Sequence, residues 1–479
     1  MATSTYKLAN FETFQNTINN TLTPIPRTRR GINPNTETEL PEVPISAQED
    51  VDNAVAAAQA AFPSWSNLSQ DERAEYLSKF ADAIDANQAG FAKLLGEECG
   101  KPPQGVGIEL FLVTHQIRET VKIKLGEEVV EDSAERSIVQ RYVPMGVGVG
   151  IVPWNFPMLL ATIKLTSALL AGNTFILKPS PFSPYTALKL GEVGAQVFPK
   201  GVLNVLSGEE DLGPMLTAHP GVAKVSFTGS IATGKKVMQA CAATLKRVSL
   251  ELGGNDAAII LPDADLAVTV PKVATLSFFH TGQLCVAIKR IYVHSSIYDA
   301  FLAAFTSFVS TLKIGNASDP EATLGPIQNK MQYEKLLDMH SEISKQGLKV
   351  ALGADLSTDK KGFFLPPTVI DNPPDDARIV TEEQFGPIIP LLKWTDEEDV
   401  LRRANDSLMG LGGSVWGKDV KNAERVSRRL EAGIVWVNSH AETGPQVAWG
   451  GHKNSGMGVE SGLEGLKGWC NAQAVWVSK

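Results

Sequence analysis

From residue 146 to 252, short apolar runs and amphipathic stretches take strict turns. GVGVGIV, TFILK, VLNVL, AKVSF and KRVSLEL read as strands, and MLLATIKLTSALLAG, PYTALKLGEVGAQVF, LGPMLTAH and ATGKKVMQACAAT as the helices between them. Strands rich in Val, Ile and Leu on both faces must be covered on both faces, and a helix after each strand favours parallel pairing. The alternation predicts a doubly wound parallel sheet, which binds ligands at the carboxyl ends of its strands. After Gly254 a second α/β unit begins, with IKRIYVH, LKVALG, IVTEE and GIVWVN as strand candidates among helices such as SIYDAFLAAFTSFVSTL. Residues 49–98 read as helices, and KIKLGEEVV with ERSIVQRYVP as extended arms outside the main core. The closing NAQAVWVSK reads as an apolar strand that needs a partner.

A chain of 479 residues with 43% hydrophobic and 20% charged residues has core enough for two or three domains. Its net charge of -9 argues against a nucleic-acid or membrane-surface partner. Arg27, Arg29 and Arg30, in a Pro/Thr-rich segment, read as solvated surface. No apolar run is long enough to span a membrane. The opening MATSTYKLANFETFQ lacks an apolar run of signal-peptide length. Cys99, Cys241, Cys285 and Cys470 are scattered, without a CxxC pair or a nearby histidine at metal spacing. Neither a metal site nor a disulfide framework is expected, and a reducing, cytoplasmic location fits.

Several short motifs carry chemistry, each with a plainer alternative. FTGSIATGKK resembles a P-loop, but Lys236 stands where that loop needs a magnesium-binding hydroxyl. Its glycine turn at a helix N-terminus suits a phosphate, or is simply a tight connection. GVGVGIVPWNFP lacks the dinucleotide fingerprint; Asn155 at the strand's end is an oxyanion donor or a turn cap. Lys178, ending TFILK, meets ribose hydroxyls or a phosphate, or is merely exposed. Glu251 in SLELGGND is a general base of raised pKa, or a capping or paired carboxylate. In FFHTGQLCVA, Cys285 is a core thiol or a nucleophile, while His280 reads as a core or turn histidine. TEEQFGP and WGGHKNSGMGVESG are loops, functional or ordinary.

Taken in order, WNFP, LKPS, FTGS, ELGG, GQLC, EEQFGP and GGHKNSGMGVESG resemble the aldehyde dehydrogenase superfamily over residues 20–479. The resemblance implies two doubly wound parallel-sheet α/β domains and a small β oligomerisation arm. Residues 1–120 with 144–252 would bind the dinucleotide, 253–450 would form the catalytic domain, and 121–143 with 451–479 would bridge subunits. It implies oxidation of an aldehyde to the acid, with Cys285 as nucleophile, Glu251 as general base, Asn155 as oxyanion donor, and Lys164 with Glu460 as a proton relay. On the cofactor side it implies Lys178 at the adenine ribose, Gly229 and Ser230 at the pyrophosphate, and Glu383 and Phe385 at the nicotinamide ribose and ring. Trp154, Gly208 and Gly253 would line the same cleft.

The chain departs from the family pattern at Pro181, where many NAD-preferring members carry a Glu that bonds the ribose 2′-hydroxyl. Without that carboxylate Lys178 and Ser180 can accept a 2′-phosphate, so use of both NAD and NADP is expected. The implied acyl pocket, Phe156, Leu160, Ile163, Phe279, Leu284, Val286, Thr443 and Trp449, has no Arg or Lys. That favours an aromatic or medium aliphatic aldehyde over a semialdehyde. The alternatives are a coenzyme A-acylating or semialdehyde dehydrogenase, a phosphorylating Cys–His enzyme, and a non-catalytic nucleotide-binding structural protein. A homodimer or homotetramer is the expected assembly.

Overall fold

The computed structural model describes residues 6–357 and 361–479. The first five residues of segment 1–120 and residues 358–360 of segment 253–450 therefore lie outside the described residues.

The alternation at 146–252 builds an eight-stranded sheet. Its parallel centre runs Leu203–Val205, Thr174–Lys178, Val147–Ile151, Lys224–Thr228, Arg247–Glu251. Numbered by sequence these strands lie 3-2-1-4-5, so the order reverses between Val147–Ile151 and Lys224–Thr228, and a ligand crevice opens there. The antiparallel strands Asn16–Ile18 and Thr21–Thr23 extend one edge, and Gly456–Met457 pairs with Arg247–Glu251 at the other. The glycines of GVGVGIV serve packing. A Cβ on Gly148 would lie 2.6 Å from the Trp469 ring, and one on Gly150 would lie 2.4 Å from the Phe175 ring.

A second sheet, of seven strands, has a parallel run Thr368–Asp371, Ile388–Trp394, Ile288–His294, Asp256–Ile260, Gly412–Trp416, Ile434–Val437. Val350–Leu352, within LKVALG, adds an antiparallel edge. IVTEE, expected as a strand, is instead one helical turn, Arg378–Thr381. Its apolar run is too short for periodicity to decide. Burial of Ile379 and Val380, with Arg378 paired to Asp338, Glu342 and Glu382, favours the turn.

The closing strand Cys470–Ser478 finds its partner in Arg136–Pro144, which also pairs with Glu128–Asp132. This antiparallel arm leaves Val129, Val130, Val475, Trp476 and Val477 exposed. Of segment 451–479, only the last strand belongs to the arm; Gly456–Met457 joins the large sheet beside Glu251.

A buried ion pair sets the entry of the helix Pro157–Leu170 that follows WNFP. Glu109 Oε1 accepts the amides of Met158 (3.0 Å) and Leu159 (3.2 Å), and Lys101 binds its other oxygen. The Lys101 ammonium also sits 3.5 Å from the Phe156 ring centroid. Lys101→Met would leave Glu109 buried and unpaired, so a loss of about 3–5 kcal/mol is expected. It would be read as a lowered urea unfolding midpoint.

Candidate active site

Cys285 follows the turn His280–Gly282, whose backbone is left-handed at His280 (φ 49), Thr281 (φ 57) and Gly282 (φ 74). Gly282 is required, since a Cβ there would stand 2.4 Å from the Gly386 carbonyl of the EEQFGP loop. Gln283, wholly buried, braces the turn: its amide donates to the carbonyls of His280 (3.1 Å) and Pro326 (3.2 Å) and accepts from Gln328 N–H (2.8 Å). Of the four free cysteines, Cys285 alone is not fully buried. Burial pushes its thiol up to about 12; Lys289 opposes this, while Glu383, Asp256 and Glu251 add to it. His280 is the turn histidine expected, buried edge-on against Phe156 with its ring centroid 5.3 Å away.

Asn155 Nδ2 donates to the Gln283 carbonyl (3.0 Å), tying the end of the strand Val147–Ile151 to the cysteine turn, while Oδ1 has no partner. Glu251 ends the last parallel strand of the first sheet, and neither carboxyl oxygen has a hydrogen-bond partner among the described residues. Burial first, then Glu460, holds its pKa well above the usual carboxylate range, with Lys164 pulling the other way. Lys164 and Glu460 meet as an ion pair, both bonded to Ser226 Oγ, at 3.0 Å and 2.6 Å. Glu460 and Trp449 also exchange backbone bonds of 2.6 and 2.7 Å, which joins the glycine-dense loop to the site.

On the other side of the crevice, Lys178 ends its strand almost fully buried, with a single backbone acceptor, Pro179 O at 3.2 Å. Burial, and then Arg29, lower its pKa to about 8 against the pull of Asp211. Arg29 is not the solvated surface residue expected. Its guanidinium donates to the Pro181 carbonyl (2.6 Å from Nη1), which brings a second cation to the Lys178–Pro181 segment. Ser180 is buried and accepts from Phe182 N–H at 3.2 Å. Gly229 N–H donates to Glu251 O at 3.1 Å, and Ser230 caps the helix Ile231–Ala242. Lys236 is exposed on that helix.

Glu383 accepts Gly254 N–H at 3.1 Å and lies over Gly253, where a Cβ would stand 2.3 Å from its Oε2. Phe385 holds φ 54, strained for an aromatic residue, and meets Trp154 edge to face at 5.2 Å. Gly208 is buried against Leu212.

Among the implied pocket residues, Phe156 and Phe279 face each other at 6.3 Å, and Leu160, Ile163, Leu284 and Trp449 are half-buried. Thr443 is exposed. Val286 is 2% exposed and packs with Leu411 and Trp436, so it supports Cys285 from below and offers the pocket no surface. Sequence reasoning gave no site role to Arg29, Ser226 or Lys289. Only the lysine carried a signal, a charge inside a strand otherwise read as buried.

Two doubly wound sheets, with a thiol, a carboxyl and an amide gathered near their strand ends, define an α/β enzyme. Residues 24–475 match the model of the Aldehyde dehydrogenase family. Aldehyde dehydrogenase LUC3 of Fusarium sp is 41% identical over 98% of this chain and 100% of its own. Betaine aldehyde dehydrogenase of Bacillus subtilis is 36% identical, covering 93% of each. The NAD+ complex structure of aldehyde dehydrogenase from Bacillus cereus superposes with a TM-score of 0.94 at 33% identity, over 97% of this chain and 96% of that one. The chain belongs to the aldehyde dehydrogenase family, and the activity that goes with membership is NAD-dependent aldehyde oxidation.

Proposed function

We propose that the protein oxidises an aromatic or medium-chain aliphatic aldehyde to its carboxylic acid with NAD or NADP. One observation carries the hydrolytic reading: Glu251, buried and unpartnered, on the strand end beside the cysteine turn. A carboxyl that resists ionisation is, once ionised, a stronger base for the proton of thiol or water.

The Cys285 thiolate adds to the aldehyde carbon, and Asn155 Nδ2 with the Cys285 N–H stabilises the oxygen as it becomes an anion. A nicotinamide held by Glu383 and Phe385 would supply the hydride acceptor for that carbon. This leaves a thioester on Cys285. Water then adds to the thioester as Glu251 takes its proton; the C–S bond breaks, and acid and thiolate are released. Lys164 and Glu460 pass the proton on from Glu251. A retained Glu251 favours water over coenzyme A as acceptor.

The chain's residues fit the dinucleotide. Lys178 supplies a buried ammonium with one backbone acceptor, free to donate to ribose oxygens. Ser230 sits at a helix N-terminus suited to pyrophosphate, and Glu383 and Phe385 suit the nicotinamide riboside. Trp154, Gly208 and Gly253 shape the cleft. With Pro181 in place of a carboxylate, and Arg29 beside Lys178, a 2′-phosphate would meet two cations, with Asp211 the nearby opposing charge on Lys178. Pocket residues Phe156, Leu160, Ile163, Phe279, Leu284 and Trp449 support an apolar acyl group. Thr443 contributes at its rim, while Val286 packs behind Cys285 and stays outside the pocket.

The test is an aldehyde panel with each nucleotide. Benzaldehyde and hexanal should outrun succinic semialdehyde. NADP efficiency should lie within about a thousandfold of NAD, roughly 4 kcal/mol. Arg29→Ala should lower NADP use about tenfold or more and spare NAD. A leading semialdehyde, or Arg29→Ala acting equally on both nucleotides, would defeat the respective claim.

The division into a dinucleotide domain (1–120 and 144–252), a catalytic domain (253–450) and a bridging segment (121–143 and 451–479) is part of the same reading. The strands of the two sheets support it, except that Gly456–Met457 pairs in the first sheet and not in the arm. The apolar arm supports a homodimer or homotetramer. Four free thiols suit a reducing cytoplasm, and among the described residues no helix is long and apolar enough to cross a membrane.

A further inference from the structure

Lys289 lies one position into the strand Ile288–His294 and is 1% exposed. A lysine placed there loses its water and must be repaid by partners. Its partners all belong to the site. Nζ donates to Cys285 O at 2.6 Å and Leu284 O at 2.8 Å, grazes Ala287 O at 3.5 Å, and lies 3.6 Å from Glu383 Oε1. Glu383 in turn accepts Gly254 N–H, and a Cβ on Gly254 would stand 2.7 Å from Cys285 O. The cysteine loop, the ELGG turn and the EEQFGP loop therefore converge on one ammonium.

We propose that Lys289 is a positioning residue for the nucleophile: from beneath the loop it fixes the peptides on both sides of the Cys285 Cα and supplies the positive charge against which the thiolate forms. This rests on the reading of Cys285 as nucleophile. The other charged groups facing the thiol, Glu383, Asp256 and Glu251, all oppose ionisation. Asp256 accepts Gly412 N–H at 3.1 Å, and His440 is its neighbour at 3.5 Å. Nothing about the reaction requires Lys289 to touch the aldehyde; it acts through the cysteine.

The experiment is iodoacetamide labelling of Cys285 against pH in the full chain, with Lys289→Gln and Lys289→Arg. Gln keeps an amide donor and loses the charge; Arg keeps the charge. The Gln profile should move up by about one pH unit, so that labelling at any pH below the midpoint slows about tenfold. The Arg profile should return most of the way to the wild-type one. A Gln profile that overlies the wild type would overturn the proposal. So would failure of both variants to fold, which would make Lys289 a packing residue only. Cys285→Ala separates the two readings: if it still oxidises aldehydes, the nucleophile assignment fails, whatever the Lys289 variants do.

Discussion

Cys285→Ala should retain nucleotide binding and lose aldehyde oxidation by at least about a thousandfold. The size follows from the chemistry: without sulfur no covalent adduct forms, and hydride departure from a hydrated aldehyde lacks the alignment that the thiohemiacetal provides. No neighbouring thiol can substitute. Cys99 is buried with its sulfur on Trp154 O at 3.4 Å, Cys470 is buried at the start of the arm, and Cys241 is buried in the last turn of the helix Ile231–Ala242. The oxyanion donors would remain, because Asn155 is held by the Gln283 carbonyl and not by the thiol. Steady-state rates beside a nucleotide titration by fluorescence give the answer. A residual rate within tenfold of wild type would sink the covalent mechanism.

The parallel sheet was legible because its strands are apolar on both faces and each is followed by a helix. Every residue of Val147–Ile151, Thr174–Lys178 and Lys224–Thr228 is buried, as that pattern demands. IVTEE was not legible, since four residues can bury the same two side chains as strand or turn. Asn155, Lys178 and Glu251 stood out because a polar side chain at the carboxyl end of an apolar strand has few structural uses. Arg29 could not be read in this way. Its role depends on contact with Pro181, 152 residues along the chain, and local composition around it speaks only of solvent. Ser226 is similar: a small hydroxyl in a strand has no sequence signature, and its partners Lys164 and Glu460 come from a distant helix and from the glycine-dense loop. Lys289 carried one signal, a charge inside a strand candidate, but IKRIYVH reads as an ordinary strand whichever way its lysine points.

Glu251→Gln separates the two halves of the reaction. Thioester formation needs only a thiolate and a hydride acceptor, whereas hydrolysis needs a base for water. The variant should slow turnover by about 10²–10⁴-fold, the usual contribution of one general base. It should still give a burst of reduced nucleotide matching the enzyme present, followed by accumulation of acyl-enzyme visible by mass spectrometry. The amide is nearly isosteric and removes a carboxyl that already lacks partners, so the fold should tolerate it. The wild type should show the matching pH dependence. Because burial and Glu460 raise the Glu251 pKa, the base form is depleted as pH falls through that raised value, and kcat should decline on the acid side well above the usual carboxylate range. In Glu251→Gln that limb should vanish. Loss of the burst together with steady-state turnover would instead assign Glu251 to thiol deprotonation. A limb that persists in the variant would assign the titration to another group, with the Lys164–Glu460 pair the next to be tested.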